Sequence, residues 1–530
     1  MLRLTNLAVP LDYDDRILRQ LILRKLSVPQ DQLVSFALVR RSIDARDKAD
    51  VHFVMSFDLC VKDEASALKR CRSLAPSPQN KPPRPLFGRF NTRPLVVGAG
   101  PAGLFAALTL VRSGAAPILI ERGKPVDERT NDVSLMAAQG ILEEDSNVQF
   151  GEGGAGAFSD GKLTCGVKSP YTAEILETFV KHGAPAEILT DQMPHIGTDR
   201  LKKVVSSLRE EIRASGGTVL FETRLEELIL RSGHVEGAVV SHAGKKREIL
   251  TDTVLLCIGH SARDTVQNLF TAGIRMTQKP FAVGVRIEHL RSLIDRSQYG
   301  SFAGHPALNA ASYKLICHTK DGRGVYTFCM CPGGSVIAAA SQPGGVVTNG
   351  MSLHARDGEN SNSALLVGVR TEDFGDTHPL AGFVFQRELE RAAFRAGGGD
   401  FRAPAQRVED FLCGRPTSRF GDVVPSYRPG VTPADLREIL PGFIAENLKT
   451  AIPVMDRQLH GFALPDAVLT GPETRSSSPV RFSRDETGQA EGISGLFPVG
   501  EGAGYAGGIV SAAIDGIASA RKVIERSLLL

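Results

Sequence analysis

Short unbroken apolar runs punctuate the chain from about residue 93, and each run leads into a different kind of segment. Leu95-Val96-Val97 runs into Gly98-Ala99-Gly100-Pro101-Ala102-Gly103. Leu104, Leu108 and Val111 then recur at helical spacing, with Ala107 on the same face. A second run, Pro117 to Ile120, ends in Glu121. The pattern predicts strand, tight turn, helix, strand and acid. Near the other end, Leu496 to Val499 predicts a strand entering Gly500-Glu501-Gly502-Ala503-Gly504-Tyr505-Ala506-Gly507-Gly508. A helix carrying Val510, Ala513, Ile514 and Ile517 follows.

Between these ends the periodicity changes several times. Thr198 to Ala214 reads as an amphipathic helix with Leu201, Val204, Val205, Leu208 and Ile212 on one face, capped by Thr198 or Asp199 and ended by Gly216. Short strands follow at 218–221, 225–230, 235–241 and 253–258, with Gly233 and Gly244 in the turns. This β-meander leads to Cys257-Ile258-Gly259-His260. The stretch from Ser261 to Pro479 is rich in strand-like runs, at 281–287, 315–318, 325–331 and 336–340, and carries a helical pattern at 382–396.

The first 75 residues have their own order. Leu2 to Val9 suits a strand, and Asp14 to Lys25 a helix with Ile17, Leu18, Leu21 and Leu23 as its apolar positions. Strands at 34–41 and 51–61 and a short helix at 64–72 complete a βαββα module resembling a ferredoxin-like α+β sandwich. Arg40, Arg41, Arg46 and Lys48 read as a solvated hairpin, with a binding face as the second reading. Pro76, Pro78, Pro82, Pro83 and Pro85 then mark a stiff linker. The expected organisation is an N-terminal module (1–75), a linker (76–92), the first part of a Rossmann-type nucleotide domain (93–260), an inserted mixed α+β covering domain (261–480) and the returning part of the nucleotide domain (481–530).

Composition narrows the class. A chain of 530 residues with 23% charged and 42% hydrophobic residues is that of a multi-domain globular protein. A net charge of +3 gives no electrostatic case for nucleic acid. No apolar run approaches the ~18 residues of a membrane span, and Met1 to Asp15 lacks the apolar core of a secretory signal. Eight scattered cysteines suit a reducing compartment, so a cytoplasmic location is expected. No Cys/His spacing points to a metal.

The glycine turn carries the first chemistry. Gly98 permits the turn, Gly100 lets a pyrophosphate approach the backbone, and Gly103 lets helix and strand pack closely. The helix start offers free N–H groups to phosphate, and Glu121 suits an adenosine ribose. Gly151 to Leu163, GEGGAGAFSDGKL, repeats the glycine spacing without a preceding strand, and so reads as a loop lying against the cofactor. The terminal turn reads as a closing flavin motif. Glu501 would bond the ribityl chain, and the helix start would face the pyrimidine carbonyl and stabilise negative charge on the reduced ring.

Cys329 and Cys331 form the close cysteine pair. On a flat strand both thiols point one way, with Cα atoms about 6.6 Å apart, near the upper limit for a disulfide. They read as two thiols, structural or working with a flavin, and the following Pro332-Gly333-Gly334 offers a bend. His260 and His318 are candidate proton donors. Lys162 and Arg475 are candidates for holding an acidic substrate or an anionic reduced ring, and Arg263 and Arg286 are weaker ones.

Together GAGPAGLFAALTL, ERGKPVDERTNDV, SNVQFGEGGAGAFSDGKL, CIGHSARDT, KPFAVGVRIEH, YTFCMCPGG, ETRSSSPVRF and GEGAGYAGGIVSAAIDG resemble the FAD-dependent, NAD(FAD)-utilising dehydrogenases, from about residue 93 to the end. The resemblance implies a glutathione-reductase-type FAD fold with an added domain, and FAD at Gly98, Gly100, Gly103, Glu121 and the Gly500-Glu501 turn. With the glycine loop and the meander, the expected cofactor positions are Gly98, Gly100, Pro101, Ala102, Gly103, Glu121, Arg122, Gly123, Gly153, Gly154, Ser159, Gly161, Lys162, Leu163, Leu225, Gly259, Gly500, Glu501, Gly508 and Ile509. The catalytic candidates are Cys329, Cys331 and Lys162. The expected activity is hydride transfer between flavin N5 and a small organic substrate, with NAD(P)H as a candidate partner. A non-catalytic flavoprotein whose N-terminal module binds a partner, and a flavin monooxygenase, are the competing readings. The sequence names no substrate and sets no oligomeric state.

Overall fold

The computed structural model describes residues 1–78 and 84–529. Pro82 and Pro83 of the expected linker therefore lie outside the described residues.

The N-terminal module is βαββαβ. Strands Leu2–Val9, Leu33–Asp44, His52–Val61 and Leu74–Pro76 form one antiparallel sheet, with Leu2–Val9 between His52–Val61 and Leu74–Pro76. The closing strand is only three residues and ends in proline, so periodicity does not reveal it. Asp14 caps the first helix, Asp15–Leu26, by accepting the Ile17 N–H at 2.7 Å. The buried stripe of that helix is Leu18, as expected, with Ile22 and Leu26, while Leu21 and Leu23 pack against the core only partly buried. Arg41 and Lys48 dock the module. The Arg41 backbone pairs with Thr190 (2.8 Å) and Gln192 (2.9 Å), and its guanidinium holds Asp191 at 2.9 and 3.1 Å. Lys48 donates to the Gln298 carbonyl at 2.5 Å. The hairpin is thus docked through Arg41 and Lys48, while Arg40 and Arg46 stay exposed to solvent.

The nucleotide domain is built on a five-stranded parallel sheet. Its order is Leu496–Pro498, Val254–Leu256, Leu95–Val97, Ile118–Ile120, Thr218–Leu220. Both faces are covered, which explains why the strands are apolar throughout rather than alternating. Val96 and Leu255 pack with Leu108 and Ile517 on the helical side. Their neighbours Leu95, Val97 and Leu256 pack with Leu225 and Val240 of the meander on the other. The meander pairs Thr223–Arg231, His234–His242 and Lys245–Leu250. Its third strand, KKREIL, opens with four charged residues and is exposed along nearly its whole length, and no sequence pattern marks it. Helices Pro101–Arg112 and Ile509–Ser527 press together at Gly516, where a Cβ would stand 2.2 Å from the Ala102 carbonyl.

The chain leaves and re-enters this domain through a two-stranded ribbon, Met276–Gln278 against Val480–Phe482. Beyond it lies a seven-stranded, mostly antiparallel sheet in the order Ile316–His318, Gly324–Cys331, Asn360–Val369, Phe281–Leu290, Val468–Glu473, Ala403–Arg407, Val431–Pro433. Helices Ala381–Gly397 and Gly442–Asp456 pack on it. The interior strand Asn360–Val369 opens with Asn360, Ser361, Asn362 and Ser363, all buried. No hydrophobic pattern announces a core strand that begins this way. The N-terminal module shares one continuous hydrophobic core with this covering domain. Among the described residues no helix is long and apolar enough to cross a membrane.

Candidate active site

A cavity of about 610 Å³ lies between the C-terminal ends of the parallel strands and the covering sheet. This is the crevice where open α/β sheets bind ligands.

Its first end is the glycine turn. Gly98 has φ +102°, and a Cβ there would meet the Cys257 carbonyl at 2.3 Å. At Gly103 a Cβ would stand 1.8 Å from the Gly98 carbonyl. Only hydrogen fits at either place. Gly100 is the N-cap and makes no side-chain bond, and Pro101 has no N–H, so the free donors of this helix start begin at Ala102, which lines the cavity. Glu121 is buried at the end of its strand and accepts three backbone N–H groups: Ala99 (2.8 Å), Gly123 (3.0 Å) and Gly151 (3.0 Å). Beyond any ribose contact, it clamps the turn, its own strand and the glycine loop together.

The glycine loop lies against the turn as expected. The Gly153 N–H donates to Ala99 O at 2.8 Å, and a Cβ on Gly154 would sit 3.2 Å from the Gly100 Cα. Arg129 pins the loop from behind. Fully buried, it donates to the carbonyls of Asn147 (2.7 Å), Val148 (2.9 Å) and Glu152 (2.6 Å). Sequence reasoning gives Arg129 no role, since its partners are backbone carbonyls.

Of the expected cofactor positions, Gly98, Gly100, Pro101, Ala102, Glu121, Arg122, Gly154, Ser159, Lys162, Leu225, Gly259, Glu501, Gly508 and Ile509 line the cavity. Gly103, Gly123, Gly153, Gly161, Leu163 and Gly500 stand behind that lining and shape it. The helix Ile509–Ser527 also starts at the cavity without a side-chain cap. Asp515 holds its turn by accepting the Gly500 N–H at 2.7 Å and pairing with Arg484 at 3.1 Å. The Thr198–Ala214 helix is capped differently from expectation: Gly197 is the N-cap, Thr198 donates to Ala157 O at 2.6 Å, and Asp199 accepts the His354 N–H at 2.8 Å.

The second end, under the covering sheet, is dense with buried charge. Asp160 lies between Lys162 (2.6 Å) and Arg356 (2.9 and 2.5 Å). Glu390 lies between Arg263 (2.7 and 2.8 Å) and Arg475 (3.1 and 3.1 Å). Despite burial, the flanking cations hold both carboxyls below the usual carboxylate range. Each trio keeps one positive charge in excess. Glu473 faces the cavity and pairs with Arg286 at 3.1 Å; burial lifts its carboxyl to about 7 in spite of that partner.

Lys162 and Arg475 reach the cavity, but Arg263 and Arg286 stand behind its wall, committed to carboxylates. His260 lines it and bonds the Arg475 carbonyl through Nε2 at 2.7 Å. His318 is exposed on an edge strand outside the cavity and cannot serve as a proton donor there. Cys329 lines the cavity while Cys331 is fully buried behind it, and both are free thiols. The strand carrying them is bulged rather than flat, with Cys329 at φ +44°.

Comparison with known proteins adds three findings. Residues 280–476 match the family model "FAD-dependent protein, C-terminal domain-like", and residues 1–60 match a domain of unknown function. An uncharacterized protein of Clostridium beijerinckii is 46% identical over 530 residues, covering 99% of each chain. Among solved structures, a triple mutant of the flavin-dependent brominase Bmp2 aligns with 83% of this chain and 81% of its own at 10% identity and TM-score 0.39. A point mutant of the E. coli quinol fumarate reductase subunit FrdA aligns with 82% of this chain and 70% of its own at 12% identity and TM-score 0.37.

Proposed function

The chain belongs to the family of that Clostridium beijerinckii protein and carries an FAD-dependent protein C-terminal domain, and on this footing we propose that it is an FAD-dependent oxidoreductase of the dehydrogenase type. The observation that carries the reading is the cavity itself, which joins an uncapped helix start in a glycine cradle to a polar, cation-rich end under the covering sheet.

The residues present fit FAD. The turn admits no Cβ at Gly98 or Gly103, which fixes its path, and the bare backbone of Gly100 lines the cavity beside a helix start that no side chain caps, where a pyrophosphate would be received. Glu121 holds the turn and is the carboxylate nearest in sequence for a ribose. Glu501 faces the cavity, and among the described residues its carboxylate has no hydrogen-bond partner, which leaves it for a cofactor hydroxyl. Bound FAD would supply hydride acceptance and donation.

The protein's own residues would do the rest. The start of helix Ile509–Ser527 places a partial positive charge at the cavity. The Asp160 and Glu390 trios add surplus positive charge that favours a negatively charged occupant, a substrate carboxylate or charge developing on the flavin ring. Glu473, titrating near neutrality, would take or give a proton beside that occupant. NAD(P)H would dock in the covering domain or take no part. Boiling the purified protein should release a yellow chromophore, and anaerobic NADH or NADPH should bleach it if a nicotinamide is the donor. Colourless protein that stays colourless after incubation with excess FAD would falsify the reading.

A further inference from the structure

We propose that Cys329 and Cys331 form a redox pair that interconverts between two thiols and a disulfide and exchanges two electrons with FAD bound in the same cavity. The inference rests on the reading of that cavity as an FAD site.

Spacing alone argues against a bridge, because a flat strand holds such residues near the limit of disulfide reach. The strand is not flat. Phe328 lies opposite Ala364 and Cys331 opposite Asn362, so three steps on one strand match two on the other. That is a β-bulge, which bends the strand. Its extra residue is Cys329, at φ +44°. Glycine adopts this conformation freely and L side chains rarely do. Keeping a side chain there is unfavourable unless the sulfur has a use, and strain of this kind gathers at functional sites.

The bend is held by charged groups. Arg286 Nη2 donates to the Cys329 carbonyl at 2.9 Å and stands 3.7 Å from the Cys331 sulfur. The Cys331 thiol itself reaches the Cys329 carbonyl at 3.2 Å, and Lys162 donates to the carbonyl of Met330. The Cys329 thiol, with Lys162 and Arg286, draws Cys331 below the ordinary thiol range, while Cys331 and burial push Cys329 up. Each thiol's proton thus depends on the other's, and the pair reacts as one thiol and one thiolate. No other cysteine among the described residues has this setting: Cys71, Cys257 and Cys317 are buried singly.

The step balances. The sulfur–sulfur bond forms as the remaining thiol loses its proton and the pair gives up two electrons. Both electrons and that proton pass to oxidised FAD, so one thiol, one thiolate and one oxidised flavin become one disulfide and one singly protonated, anionic reduced flavin. The reverse direction reduces the disulfide.

Anaerobic titration of the FAD-loaded, air-oxidised protein with dithionite, followed by flavin absorbance, counts the electrons. The parent should take four electrons per flavin, and Cys329→Ser, Cys331→Ser and Cys329→Gly two each. The glycine variant relieves the backbone and guards against a folding defect. Intact-mass analysis after N-ethylmaleimide treatment should show two more labels on the reduced parent than on the oxidised one. A yellow parent that takes only two electrons per flavin and labels equally in both states overturns this proposal alone. A protein that takes up no flavin overturns the site reading and this proposal with it.

Discussion

Glu121 accepts the backbone N–H of Ala99 at 2.8 Å and so ties the end of one parallel strand to the turn that leaves its neighbour. Two further N–H groups, of Gly123 and Gly151, converge on the same buried carboxylate. In Glu121→Gln, one of the two side-chain oxygens becomes an NH2 facing backbone donors. A hydrogen bond to a charged group contributes about 1.5–3 kcal/mol. The variant is expected to lose ~2–3 kcal/mol of stability and to retain less flavin, as measured by urea denaturation and by the ratio of flavin to protein absorbance.

Gly103 and Gly166 make a matched pair of tests. A Cβ at Gly103 would stand 1.8 Å from the Gly98 carbonyl, whereas one at Gly166 meets nothing within 4 Å. Gly103→Ala must therefore separate the helix from the strand. It is expected to yield protein that is insoluble or free of flavin. Gly166→Ala should match the parent in melting temperature to within the effect of about 0.5 kcal/mol.

The difference between those two glycines shows what is legible in the sequence. The G-x-G-x-x-G turn announces itself because backbone constraint acts between near neighbours in the chain. The parallel strands, the amphipathic helix Thr198–Ala214 and the N-terminal βαββ order are readable for the same reason, as local periodicity. The second end of the cavity is not. Arg263, Glu390 and Arg475 meet from three distant segments, and nothing within any one segment marks Glu390 as buried. The strand Lys245–Leu250 and the polar start of Asn360–Val369 defeat pattern reading in opposite ways, one by being exposed on both sides and the other by burying hydroxyls and amides. The bulge at Cys329 depends on register with Asn360–Val369, a property of two strands that neither contains alone.

Glu390 pairs with two guanidiniums that are both almost fully buried. Glu390→Ala would leave both without a carboxylate. Breaking a buried ion pair from one side costs about 3–5 kcal/mol. A loss of that size is expected in the denaturation midpoint, together with weaker flavin binding, because Arg475 lines the cavity.

His289 gives a pH dependence with a defined sign. It is fully buried, donates from Nε2 to the Phe462 carbonyl at 2.8 Å, and burial lowers it to about 4. An unfolded chain would protonate it near 6.5. Between about pH 6.5 and pH 4 the unfolded state therefore binds the extra proton, so stability falls as pH falls. The loss attributable to this group approaches ~3 kcal/mol at the acid end. His289→Gln keeps a donor for Phe462 and removes the titration. Its melting temperature should decline less steeply than the parent's across that window, and parallel curves would count against the assignment.

The N-terminal module reaches the segment that borders the cavity. The Arg41 backbone bonds Thr190 and Gln192, and the next two residues, Met193 and Pro194, form part of the cavity wall. This part of the wall is thus braced by a folding unit whose sequence lies about 150 positions away. A loosening of the module would therefore be felt at Met193 and Pro194, so the opening stretch of the chain helps to hold the shape of a cavity that it does not itself line.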